Sequence, residues 1–147
     1  MKFSILGSGS SGNSSYIEMG KKKFLIDAGF SGKKIAEKLN NIGRRIEDID
    51  GVFVTHEHSD HIQGLGVISR KYDIPIYLHE ITYGIIREKI GKIDPKNINF
   101  LRKNNQLELG DLKNIKLKIN KPGAPIKYHF KKCGVEVKLS REEFYNL

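Results

Sequence analysis

The chain has 147 residues, with 26 Lys and Arg against 17 Asp and Glu for a formal charge of +9, and a single cysteine, Cys133. That length suits one ordinary domain and excludes two comfortable ones, while a lone thiol excludes an intramolecular disulfide and a cysteine-based zinc knuckle. No apolar run reaches the length of a secretion signal or a membrane span, and the basic balance favours anionic partners, nucleic acid among them, without an RNP-like or helix-turn-helix motif to make that a dedicated module.

KFSIL, SYIEM and KFLIDAG read as strands joined by a Gly/Ser-rich loop and a GKK turn, which argues for an antiparallel meander. A helix follows, with Ser31 as its N-cap, Ile35, Leu39 and Ile42 on one stripe, and Gly43 at its end. GVFVT is a short continuous apolar run, the pattern of a strand buried on both faces. His61, Leu65, Ile68 and Tyr72 share a helical stripe, with Gly64 and Gly66 weakening its start. IPIYL is another buried strand, predicted to lie parallel to GVFVT, and a third helix covers about Thr82 to Ile90. Beyond Asp94 come short strands, NINFL, QLELG, IKLKI, IKYHF and VEVKL, and then a capping box at Ser140 and Glu143 for a last helix. The order predicts an α/β fold with a mixed sheet covered by helices.

The run VTHEHSDH, residues 54 to 61, holds three of the five histidines. Residues two apart in extended chain project to one side, so His56 and His58 converge if the strand continues through them. Asp60 and His61 follow after the turn and reach a second point nearby. Four ligand-capable side chains at the carboxyl end of a buried strand, where α/β sheets place their sites, point to a metal centre. Two cations roughly 3.5–4 Å apart would form a hydrolytic pair. The donor types suit zinc, iron or manganese. The loop Ser8, Gly9, Ser10, Ser11, Gly12 and Asn13 reads equally as a flexible hairpin or as a nest of N–H groups for a phosphate.

H-x-H-x-D-H, present as His56, His58, Asp60 and His61, resembles the signature of the metallo-β-lactamase fold superfamily. LIDAG, with Asp27, is similar to that family's acidic residue at an early strand end. GSGSSGNSSYI resembles the first hairpin of a branch of small bacterial exonuclease-like hydrolases. The resemblance covers Met1 to about Leu112 and implies the N-terminal half of an αββα sandwich. It also implies that His56 and His58 hold one divalent cation, zinc foremost, and that Asp60 and His61 hold another and serve in catalysis. Asp27 would support the metal loop through hydrogen bonds. The family's later histidine and bridging aspartate are not matched: Lys121 and Pro122 stand in NKPGAPIKY, and VEVKLS offers no aspartate.

The expectation is therefore a single truncated domain over residues 1–147, cytoplasmic, with an incomplete metal site and a phosphodiesterase or nuclease-like ancestry. The alternative is an inactive remnant acting as a binding module, its exposed apolar sheet face covered by a homodimer or a partner chain. A basic nucleic-acid-binding module without chemistry ranks last. His79 and His129 are substitute ligands in principle, but a strand-end and a surface histidine read more simply as neither. Cys133 reads as an incidental thiol.

Overall fold

A computed structural model describes residues 2–101 with their side chains and, beyond them, the backbone of four strands. Three strands open the chain: β1 (Lys2–Gly7), β2 (Ser14–Met19) and β3 (Lys22–Ile26). They form the expected antiparallel meander, because each connection is too short for anything else. Next come α1 (Gly32–Asn41), β4 (Gly51–Phe53), α2 (Ser59–Ile62), α3 (Leu65–Tyr72), β5 (Ile76–His79), α4 (Glu80–Ile90) and β6 (Ile98–Leu101). The six strands make one mixed sheet in sequence order, with β3, β4, β5 and β6 parallel. A second, antiparallel sheet joins β7 (Gln106–Leu109), β8 (Leu112–Lys118), β9 (Lys127–Lys132) and β10 (Val135–Leu139). Lys121, Pro122, Cys133 and the last helix predicted at Ser140 lie outside the described residues, as does the side chain of His129.

The reasons for α1 are those in its sequence. Ser31 Oγ accepts the Lys34 N–H at 3.3 Å, Ile35 and Leu39 are fully buried, and Gly43 turns the chain away with φ 71°. The helix predicted over residues 61 to 72 is broken in two at Gly64. Its N–H donates to Ala28 O at 2.9 Å, and a β-carbon there would sit 2.2 Å from Phe30 O. The chain after β3 passes so close that only a glycine fits, and the break lets α2 turn back toward the sheet end.

Leu25, Val52, Val54, Ile76 and Leu78 pack with Ile35, Leu39, Leu65, Ile68, Ile86 and Ile90 into one core under the helices. At the ~25 cal/mol per Å² typical of apolar burial, this layer dominates the stability of the sheet. On the opposite face Phe24 meets Phe53 edge-on and Phe53 stacks on Tyr77, with ring centroids 5.4 and 4.8 Å apart. That face is closed as well: Phe24 and Phe53 are 0% exposed and Ile17, Met19 and Ile26 are 1%. Among the described residues, the side chains at the centre of the face expected to be exposed are buried, and Phe3 at the β1 edge is 37% exposed.

Tyr16 on β2 donates its hydroxyl to Glu18 Oε2 at 2.6 Å, and Arg44 Nε donates to both, at 2.8 Å to the carboxylate and 3.1 Å to the phenol oxygen. Burial, then the hydrogen bond to Glu18, pushes the Tyr16 phenol up to about 12 from 10.0, while the Tyr16 hydroxyl holds Glu18 below its usual range. A raised folded-state pKa means this contribution to stability is complete below the unfolded value and is lost as pH climbs through the folded one. A tyrosinate absorbance titration should thus show a late step near 12 that is missing from Tyr16→Phe and that moves down toward 10 in denaturant. A Tyr16→Phe curve identical to the parent would contradict this.

Candidate metal centre

The carboxyl ends of β3 and β4 lie side by side, Ile26 opposite Phe53, so the segments that follow them meet at one edge of the sheet. Asp27 comes first, at φ 62°, a left-handed conformation that Asp tolerates better than most side chains. Its backbone is pinned on both sides: Asp27 N donates to Phe53 O at 2.8 Å, and Ser14 Oγ donates to Asp27 O at 2.8 Å. The carboxylate, on a side chain only 5% exposed, is thereby aimed at the loop after β4.

Three donors meet that carboxylate. Thr55 N–H reaches Oδ1 at 2.8 Å, and Thr55 Oγ1 and His61 Nδ1 both reach Oδ2 at 2.6 Å. The proton positions follow from the pattern. A threonine hydroxyl has one proton, and it goes to Asp27, so Thr55 Oγ1 must accept the Nδ1–H of His56 across 2.8 Å. His61 likewise carries its proton on Nδ1. Both rings therefore keep Nε2 unprotonated and directed away from Asp27, the tautomer a metal-binding imidazole needs.

Those lone pairs face the other motif residues. His56 Nε2 lies 3.1 Å from His58 Nδ1, and the His56 ring centroid is 4.5 Å from that of His58 and 4.0 Å from that of His61. His61 Nε2 is buried with no hydrogen-bond partner and lies 3.7 Å from Asp60 Oδ2. A cation bonded at ~2.0–2.2 Å to nitrogen and oxygen would span such a gap. A buried acceptor with no donor is costly in a protein interior, and a divalent cation would satisfy it. The donor set fits one.

Asp27, His56 and His61 also present ligand-capable atoms within 4.8 Å of one another. Asp27 Oδ2 already accepts from Thr55 and His61 and Oδ1 from Thr55 N–H, which suits this carboxylate to orienting the loop. His79 is not brought into a ligand role: it caps α4, its Nδ1 accepting the Ile81 N–H at 3.1 Å. The Gly/Ser loop is tied internally and to the metal loop, with Gly12 N–H donating to Gly9 O at 3.3 Å and Asn13 N–H to Asp60 O at 2.7 Å. Beside it a cleft of about 470 Å³ is lined by Ser10, Ser11, Ser59, Asp60, Gln63 and Lys89. Thr55, which sequence reasoning missed, was signalled only by a hydroxyl directly ahead of the histidines.

Residues 7–131 match the metallo-beta-lactamase superfamily, and the chain belongs to that family. Among curated proteins it is 47% identical over 113 residues to the exodeoxyribonuclease WalJ of Streptococcus pneumoniae, covering 76% of this chain and 42% of that one. It is 44% identical over 113 residues to the exodeoxyribonuclease YycJ of Bacillus anthracis, covering 77% and 40%. The chain thus spans about two fifths of the length of these relatives. Among solved structures, a subclass B3 metallo-beta-lactamase of Bradyrhizobium japonicum aligns with a TM-score of 0.68 at 17% identity, over 91% of this chain and 56% of that one, which speaks for the fold. No helix among the described residues is long and apolar enough to cross a membrane.

Proposed function

We propose that the chain carries the metal loop and part of the substrate cleft of a cytoplasmic phosphodiester hydrolase acting on DNA, built as one domain over residues 1–147. The observation that carries this is the unpartnered, buried Nε2 of His61, held in its metal-binding tautomer by Asp27 beside His56, His58 and Asp60. The two exodeoxyribonuclease relatives support the substrate class. His56 and His58 would hold one divalent cation and Asp60 and His61 another, zinc being the best fit to an imidazole-rich set. When bound, such ions supply Lewis-acid charge stabilisation and make water a competent nucleophile at neutral pH.

The chain's own residues do the rest. Asp27 keeps the proton of His61 on Nδ1, and Thr55 keeps that of His56 on Nδ1, so neither ring turns an N–H toward the cations. Ser10, Ser11, Ser59 and Lys89 line the cleft, and they bring the hydroxyl and ammonium groups that bind a phosphate backbone. The excess of nine positive charges favours a polyanion before any specific contact is made. Each pair of ligands needs a further donor from residues after 101 or from another chain.

Purified protein should hold stoichiometric divalent metal by elemental analysis, and His56→Ala with His58→Ala should abolish most of it. DNA ends should be degraded when zinc or manganese is supplied. Absence of both metal and cleavage would sink the proposal, and uptake without cleavage would favour the non-catalytic binding module instead.

A further inference from the structure

All polar atoms of Asn13 are spoken for, and the partners have a pattern. Its Oδ1 accepts the Gly9 N–H at 3.0 Å, which identifies the other amide atom as the nitrogen. That nitrogen donates to Gly9 O at 2.8 Å and to Asp60 Oδ2 at 2.9 Å, with Asp60 O at 3.3 Å. On the main chain, Asn13 N–H donates to Asp60 O at 2.7 Å and Asn13 O accepts the Gly29 N–H at 2.9 Å. The contacts with Gly9 and the main-chain bonds are enough to shape the loop. The bond to Asp60 Oδ2 leaves the loop and ends on the oxygen that stands 3.7 Å from His61 Nε2.

We infer that Asn13 is a positioning residue: its side-chain amide holds Asp60 Oδ2 against His61 Nε2, so the pair is set to share one cation. This rests on the metal centre proposed above and extends it to a residue of the Gly/Ser loop. A carboxylate oxygen has two lone pairs. One accepts the Asn13 N–H and fixes the rotation of the carboxylate, and the other remains for the cation. Asp60 is only partly buried, its side chain 29% exposed, so without the amide it is free to swing into solvent. The loop that sequence reasoning left between flexible hairpin and phosphate nest is thus a clamp on the second ligand pair.

The test is a cobalt(II) absorption titration of the full chain as parent, Asn13→Ala and Asn13→Ser, with the urea midpoint of each metal-free protein. Supporting hydrogen bonds of this kind change metal affinity by about 10–100-fold. The weaker equivalent of cobalt should lose affinity by that order in both variants while uptake by His56 and His58 stays near the parent's, and the metal-free urea midpoints fall only as far as the lost Gly9 contacts require, with unfolding still cooperative. The inference is overturned if either variant binds both equivalents like the parent. It is overturned too if both equivalents weaken together with a collapsed midpoint, which marks a merely structural residue. A parent that takes up no cobalt at all refutes the metal centre itself, a separate outcome.

Discussion

Gly29→Ala should destabilise the protein by about 3 kcal/mol or more and loosen the metal loop, as read from urea unfolding. A β-carbon at this position would lie 1.8 Å from Asp60 O and 2.5 Å from Asn13 N. Those two atoms are the acceptor and donor of one hydrogen bond, 2.7 Å long, so the added methyl would wedge into it. Neither side can yield cheaply, because both are main chain and Gly29 N–H is itself bonded to Asn13 O at 2.9 Å. An exposed-surface glycine would cost a few tenths at most. A Gly29→Ala protein within about 0.5 kcal/mol of the parent would refute the close approach.

Asp27→Asn is expected to be nearly as damaging, by another route. Asparagine tolerates a left-handed φ, so the main chain has no reason to move. The loss is in acceptor capacity. With its oxygen toward Thr55 N–H, the new amide turns an N–H₂ toward Thr55 Oγ1 and His61 Nδ1, which now receive two donors where they gave two. His61 can answer only by moving its proton to Nε2. Thr55 must turn its hydroxyl proton toward His56 Nδ1, which moves that proton to Nε2 as well. Both lone pairs meant for cations disappear. Metal affinity should fall by about 10–100-fold and metal-free stability by about 2 kcal/mol. Nitrogen-15 shifts of the imidazoles should report the tautomer change. If Asp27→Asn leaves His61 protonated on Nδ1, the relay argued here is wrong.

Much of this architecture was legible in the residues. The meander, the parallel placement of GVFVT and IPIYL, and the caps of α1 follow from local pattern, because short connections and buried strands leave few alternatives. His56 and His58 do lie together, with ring centroids 4.5 Å apart, but β4 ends at Phe53, so their approach comes from the loop and not from a strand continued through them. The break at Gly64 was not legible, since its cause is the carbonyl of Phe30, more than thirty residues away in sequence. Thr55 and Asn13 were missed in their roles because each acts through a partner brought near only by the fold. A hydroxyl or an amide in a loop carries no mark of the carboxylate it will meet. The burial of Phe24 and Phe53 was not legible either, because an apolar strand reads the same whether its second face is covered or open.

The contacts that tie Asp60 and His61 to the rest of the fold are long in sequence. Asp60 is met by a residue 47 positions earlier, and His61 by one 34 positions earlier. Closing such spans costs chain entropy before any contact repays it. Until β3 and β4 are zipped together, then, the histidines are ordinary imidazoles on a flexible strand with no fixed tautomer. A cation that binds only the finished edge of the sheet would act as a lock on the folded chain rather than as a template for it.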